Sequence, residues 1–207
     1  MTPIELPDPE TDGKTSVERA IATRASRRSF ARTPLELADV AQLLWAAQGL
    51  SHVRDGVEMR TTPSAGATYP LTAFLEVAPD GCAELEAGLY RYDPPQHRLE
   101  AELEGSIHDE VTHAALGQDV IGDAPATIVL AADADRTRRQ YPDHGDRYVH
   151  MEAGHAAQNV HLVCESRDLH SCPVGAFSDD DVAAVLDLPE RLEALYLLPC
   201  GQPPADR

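Results

Sequence analysis

Residues 147–168 read RYVHMEAGHAAQNVHLVCESRD, a proline-free stretch long enough for a helix of five or six turns. Ala153, Gly154, Ala156 and Ala157 leave so little side-chain bulk that another helix, or a flat ring, can approach the backbone closely. The helix is therefore expected at the centre of the fold. On its N-terminal side the unbroken apolar run Ala126–Ala132 predicts a buried strand. On its C-terminal side 170–177 reads as strand and turn, Ser178 caps a helix to about 187, and 194–200 forms a last strand.

Further upstream, Thr15 with Glu18, and Thr33-Pro34 with Glu36, carry the pattern of a capping residue and its reciprocal acid, predicting helices near 16–25 and 35–49. In the second, Leu37, Val40, Ala41, Leu44 and Trp45 make a buried stripe that places Trp45 in the core, and Gly49 is a natural stop. Residues 50–70 read as one long irregular loop. Short strands follow at 73–78, 88–92 and 97–102, the last two split by Asp93-Pro94-Pro95, then a helix at 106–117. Strands and helices mix without a βαβ repeat, so the expected class is α+β with a mainly antiparallel central sheet flanked by helices. Residues 1–14, acidic and proline-rich, read as a flexible leader or a partly docked arm ahead of one domain over 15–204.

The chain of 207 residues is 43% hydrophobic and 25% charged, ordinary for a folded domain. Its net charge of −18 disfavours nucleic acid and anionic membrane surfaces as partners. No apolar run is long enough to span a bilayer, and a cytoplasmic protein is expected. Lys14 is the sole lysine against sixteen arginines and thirty-five acids, a bias that a halophilic host or an arginine-rich genome would each produce. Cys82, Cys164, Cys172 and Cys200 show no CxxC pairing and read as reduced core thiols. His150, His155 and His161 fall five and six residues apart, so they share no helix face, and no catalytic metal is expected.

Five short segments carry possible chemistry. Arg24-Ala-Ser26-Arg27-Arg28 concentrates positive charge and a hydroxyl where a phosphate or a carbonyl-rich ring edge would need them, although a solvated basic turn has the same composition. Around Pro63-Ser64-Ala65-Gly66, following Arg60, small residues between prolines let main-chain N–H groups face a ligand, without dinucleotide-fold or P-loop spacing. Gln158 and Asn159 sit side by side on the long helix and need partners if buried. Pro173-Val174-Gly175 and Gly201-Gln202-Pro203 lie at strand ends.

Taken in this order, and above all through Pro63-Ser-Ala-Gly-Ala-Thr-Tyr-Pro70 and Glu152-Ala-Gly-His-Ala-Ala-Gln-Asn159, the chain resembles the nitroreductase superfamily in its SagB-type dehydrogenase branch, over roughly residues 16–204. The resemblance implies an FMN-dependent oxidoreductase, built as an intertwined homodimer, that moves hydride between flavin N5 and a small organic molecule, with NAD(P)H a candidate donor. It implies that Arg24, Ser26 and Arg28 hold the phosphate, the ribityl chain and the N1/O2 edge, with Arg28 at N1. There a fixed guanidinium would offset negative charge that develops on the ring. It further implies that the Pro63–Gly66 loop reaches in from the other subunit, that Gln158 and Asn159 border the ring, and that Pro173, Val174 and Gly175 lie across N5. Two positions depart from the pattern. Gln202 replaces an arginine that grips phosphate, which implies either weaker FMN binding or compensation by Arg60. Gln140 replaces the lysine of azoline-oxidising members, leaving Tyr141 as the proton-handling candidate. Azoline oxidation on a ribosomal peptide, with oxygen as acceptor, and flavin binding without turnover are the rival readings.

Overall fold

The computed structural model describes residues 2–205. In chain order its elements are β1 (Ile4–Glu5), α1 (Val17–Thr23), α2 (Leu37–Gln48), β2 (Leu50–Arg54), β3 (Val57–Arg60), β4 (Leu71–Val77), β5 (Gly88–Asp93), β6 (Arg98–Glu104), α3 (His108–Ala114), α4 (Asp119–Gly122), β7 (Ala126–Ala132), α5 (Ala134–Arg138), α6 (Gly145–Ser166), β8 (His170–Ser171), α7 (Asp179–Val185) and β9 (Glu193–Gly201). Seven strands form one sheet in the order β1-β6-β5-β4-β7-β9-β8, every neighbouring pair antiparallel. This is the expected α+β class.

Alternation along the central strands explains why both faces are covered. In β7, Ala126, Ile128, Leu130 and Ala132 point into a core shared with α2 and α6, whereas Val129 and Ala131 point into a second core with α3, α4 and α7. β4 repeats the division, with Leu71, Ala73, Leu75 and Val77 on one side and Phe74 on the other. An unbroken apolar run is the signature of such a strand, because neither face meets water. Across the second core, His108 on α3 holds β4 through Nδ1 to the buried Glu76 carboxylate at 3.1 Å, and its Nε2 donates to the Gly122 carbonyl at 3.0 Å.

α6 buries Val149, Glu152, Ala153, Ala156, Ala157, Val160, His161 and Cys164, a stripe at three- and four-residue spacing. Its alanines let α2 and the sheet come close. The opposite face leaves Arg147, His150, Met151, Gly154, His155 and Gln158 exposed. No helix among the described residues is long and apolar enough to cross a membrane.

Several expectations need correction. The leader takes the docked form: β1 pairs with β6, Leu6 is buried, and Gln42 on α2 both donates to the Glu10 carbonyl and accepts from the Glu10 N–H. Ser16, not Thr15, caps α1 by accepting from Arg19 N–H. Helix α2 begins at Leu37 rather than 35, because Leu35 bridges to Cys82 and the first helical N–H donates to the Glu84 carboxylate, 47 positions away. Residues 50–60 are a hairpin rather than loop, closed by Asp55 (φ 53°) and Gly56 (φ 79°), the pairing that a tight turn with two left-handed residues requires. Trp45 is half-buried rather than core, packing over Gly49 and donating from Nε1 to the Leu50 carbonyl at the hairpin base.

Candidate active site

The first group of residues gathers where α1 ends. α1 stops at Arg24, and the chain then runs extended along the second half of α6 and the ends of β8 and β9. Two main-chain bonds and one from a side chain fix it: Arg27 N–H donates to the Ser171 carbonyl at 2.9 Å, Ala31 N–H to the Gln202 carbonyl at 2.8 Å, and the His170 ring Nδ1 to the Ser29 carbonyl at 2.8 Å. Between them opens a cleft of about 720 Å³ lined by Ser26, Arg27, Arg28, Ser29, His170 and the two prolines 203 and 204. A cleft of this size suits a ligand with a charged end and a flat body.

The three arginines of this segment differ electrostatically. Arg27 is paired with Glu165 at 2.6 Å, and although burial pushes that carboxyl up, Thr23 and Arg27 together hold it below its ordinary value. Arg24 donates from Nη1 to His161 Nδ1 at 3.4 Å. Among the described residues, neither Arg24 nor Arg28 is paired with a carboxylate, so both keep charge for an anion.

The second group surrounds the loop 62–70. Gly66, Ala67 and Tyr69 all have left-handed backbone (φ 59°, 52° and 44°), a concentration of strain that needs support. Support comes from Ser64 Oγ accepting from Tyr69 N–H (2.9 Å), Thr62 Oγ1 donating to the Ala47 carbonyl (2.7 Å) and the Thr68 and Thr137 hydroxyls sharing a bond of 2.8 Å. Asn159 donates to Thr62 Oγ1 (3.2 Å) and to the Ala46 carbonyl (3.2 Å). Gly66 lies directly under the Gln140 amide, with no room for a β-carbon. Beside it Tyr141 stacks edge-on against Tyr148, ring centres 5.2 Å apart.

Glu152 underlies this loop. It is 3% exposed, its Oε1 has no hydrogen-bond partner among the described residues, and burial raises its carboxyl to about 7 despite the opposing influence of Ser64, Arg60 and Arg136. Arg60 donates to Gln48 Oε1 at 2.7 Å and to the Leu71 carbonyl, and lies over the Tyr69 ring. Burial lowers its pKa, as does the charge of Arg136.

The predicted residues thus fall into two clusters on one chain. Ser26 and Arg28 line the cleft, Arg24 lies two residues before Ser26 and is held to His161 on α6, and the Gln202 carbonyl accepts from Ala31 N–H next to the lining Pro203. Pro63, Ser64, Ala65, Gly66, Asn159 and Tyr141 belong to the loop cluster. Arg60 belongs there too, tied to Gln48. Gln158 is exposed while Asn159 turns inward, since adjacent helical residues point about 100° apart. Val174 exchanges both main-chain bonds with Leu197, leaving Pro173 half-buried and Gly175 exposed at the sheet end. The two clusters meet α6 at His161 and at Glu152, nine residues or about 14 Å apart along its axis. Sequence reading missed Glu152 and His170 as site residues and took His161 for ordinary packing. Glu152 opens one of the two motifs that carry the resemblance and His161 lies on the same helix, whereas no sequence signal points to His170.

With the geometry in place, comparison with known proteins fixes the class. The Nitroreductase family model matches residues 21–202, and the chain belongs to that family of oxidoreductases. A Methanocaldococcus jannaschii protein named as a nitroreductase, MJ1384, is 39% identical over 199 residues, covering 96% of each chain. A crystal structure of a nitroreductase from Ralstonia eutropha superposes with a TM-score of 0.84 at 29% identity, over 98% of this chain and 90% of the other. The NADPH:FMN oxidoreductase of Vibrio harveyi, solved with NAD+, shares the fold at a TM-score of 0.64 and 18% identity, over 92% of this chain and 69% of the other.

Proposed function

We propose that this protein is an FMN-dependent oxidoreductase that takes hydride from NAD(P)H and passes it to a small organic acceptor, working as a homodimer. The observation that carries the reading is the cleft at Ser26 and Arg28, with an Arg28 guanidinium that no carboxylate among the described residues cancels. A phosphate and a polar ring edge are the chemistry such donors fit, in a family whose Vibrio harveyi relative is named for FMN. Bound FMN would supply the hydride-exchanging centre at N5.

The chain's own residues then have separate tasks. Arg24 and Ser26 would hold the phosphate and the ribityl chain, and Arg28 would offer fixed positive charge to the N1/O2 edge. Pro173, Val174 and Gly175 would border N5, and Val174 is anchored by its bonds to Leu197. The Ser64–Gly66 loop, pre-formed but remote from the arginine cluster of its own chain, serves the cleft of a second subunit, with Gln158 and Asn159 on the bordering helix. An apolar strip on α1, Val17 and Ile21 at 66% and 58% exposed, together with Met151 on α6, gives that subunit a surface to cover. Tyr141 is the candidate to hold a proton for the acceptor. Gln140 has no titratable group and lies against Gly66, which weighs against azoline oxidation.

Anaerobic titration tests the reading. The purified protein should be yellow, with one FMN per chain, and should bleach on addition of NADPH or NADH and recover with a quinone or nitroaromatic. A colourless protein that binds no added FMN would sink it. Bound FMN that no nicotinamide bleaches would favour flavin binding without turnover.

A further inference from the structure

His161 is a polar side chain in an expensive place. It is 4% exposed, and its Nε2 has no hydrogen-bond partner among the described residues. A leucine would fill the same space without burying an unsatisfied N–H. What the imidazole offers is Nδ1, which lies 3.4 Å from Arg24 Nη1. A guanidinium only donates, so Nδ1 must present its lone pair and the ring proton must sit on Nε2.

The surroundings keep the ring in that neutral form. Burial lowers its pKa first, and the charges of Arg24 and Arg27, on the segment leaving α1, lower it further. The main chain at Ser171 and the Glu165 carboxylate act in the opposite sense and are outweighed. Arg27 faces Glu165, so its charge is largely cancelled where it stands. Arg24 is fixed instead by a neutral acceptor, which orients a guanidinium without neutralising it.

We propose that His161 is a positioning residue that aims Arg24 at the phosphate of FMN, by accepting its hydrogen bond as a neutral imidazole; this rests on the flavin reading given above. Carboxylate pairing at the same place would compete with a phosphate dianion for the guanidinium. An apolar neighbour would leave the arginine free to swing into solvent, and ordering it would then weaken ligand binding. The histidine avoids both outcomes.

Fluorescence titration of the flavin-free dimer with FMN and with riboflavin, which lacks the phosphate, separates positioning from general support. His161→Leu should weaken FMN at least tenfold and leave riboflavin within twofold. His161→Asn, whose side-chain oxygen reaches the place of Nδ1, should keep FMN within threefold. His161→Gln, which places its polar atom nearer Nε2, should lose as much as leucine, and this pair of polar variants carries the test if the leucine variant does not fold. In an Arg24→Ala background, itself at least tenfold weaker for FMN, His161→Leu should add less than twofold. The inference is overturned if His161→Leu and His161→Gln bind FMN as the wild type does. It is equally overturned if they lose FMN and riboflavin alike, or if their losses persist undiminished without Arg24. A wild-type protein that takes up neither compound removes the flavin reading, and this inference with it.

Discussion

Arg28 and Glu152 are two ionisable side chains in opposite surroundings. Arg28 is exposed and paired with no carboxylate among the described residues, so its loss should cost binding rather than folding. Arg28→Ala is expected to melt within a few degrees of the wild type while FMN affinity, or the rate of flavin bleaching, falls at least tenfold; unchanged titrations would remove Arg28 from the site. Glu152 is the reverse case, a buried acid whose pKa is raised from 4.5 to about 7. Because the folded state holds the proton more tightly than the unfolded chain, the contribution of Glu152 to stability is fully present below about pH 4.5 and is lost as pH rises through 7. The shift corresponds to roughly 3 kcal/mol at alkaline pH. Glu152→Gln should therefore be more stable than the wild type at pH 8.5, with the gap narrowing towards pH 5. A gap independent of pH in urea unfolding would show that the carboxyl ionises without penalty.

At the scale of elements, legibility followed how local each determinant is. β7 could be read from its apolar run and α7 from Ser178, because each signal lies within the segment it specifies. The start of α2 could not, since its first N–H is capped by Glu84 from a distant stretch. The β2–β3 hairpin carries a turn signal in Asp55-Gly56, but its exposed strands lack the apolar alternation that marks a strand. Gly56 holds a left-handed φ of 79°, so Gly56→Val should loosen the hairpin by about 1 kcal/mol or more, seen as faster amide exchange at 50–60. The site divides in the same way. Motif wording located the arginine segment and the serine loop, whereas the inward turn of Asn159 and the placement of Arg60 beside Gln48 depend on packing. The His108–Glu76 tie is a long-range determinant too. Hydrogen bonding to Glu76, against the effect of burial, raises His108 to about 9, while burial raises Glu76 itself. The histidine's share of stability is thus complete below its unfolded pKa near 6.5 and is lost as pH climbs through 9. His108→Ala should cost about 3 kcal/mol at pH 6, and less by pH 9.5, in denaturant titrations.

For the molecule as a whole, charge opposes the assembly proposed above. A second copy of a chain of net −18 would bring like charges together, so the proposed dimer should tighten as salt rises from 0.1 to 1 M, where screening shortens to about 3 Å. Sedimentation at both ionic strengths checks this, and a salt-independent equilibrium would refute it. Ile21→Glu, in the exposed strip of α1, should give monomers. The separation of the arginine segment and the serine loop along α6 then has a genetic consequence. Chains crippled by Arg28→Ala and chains crippled in the Ser64–Gly66 loop, each inert alone, should rescue one another when co-expressed. A mixed pair contains one centre that carries both defects and one that carries neither.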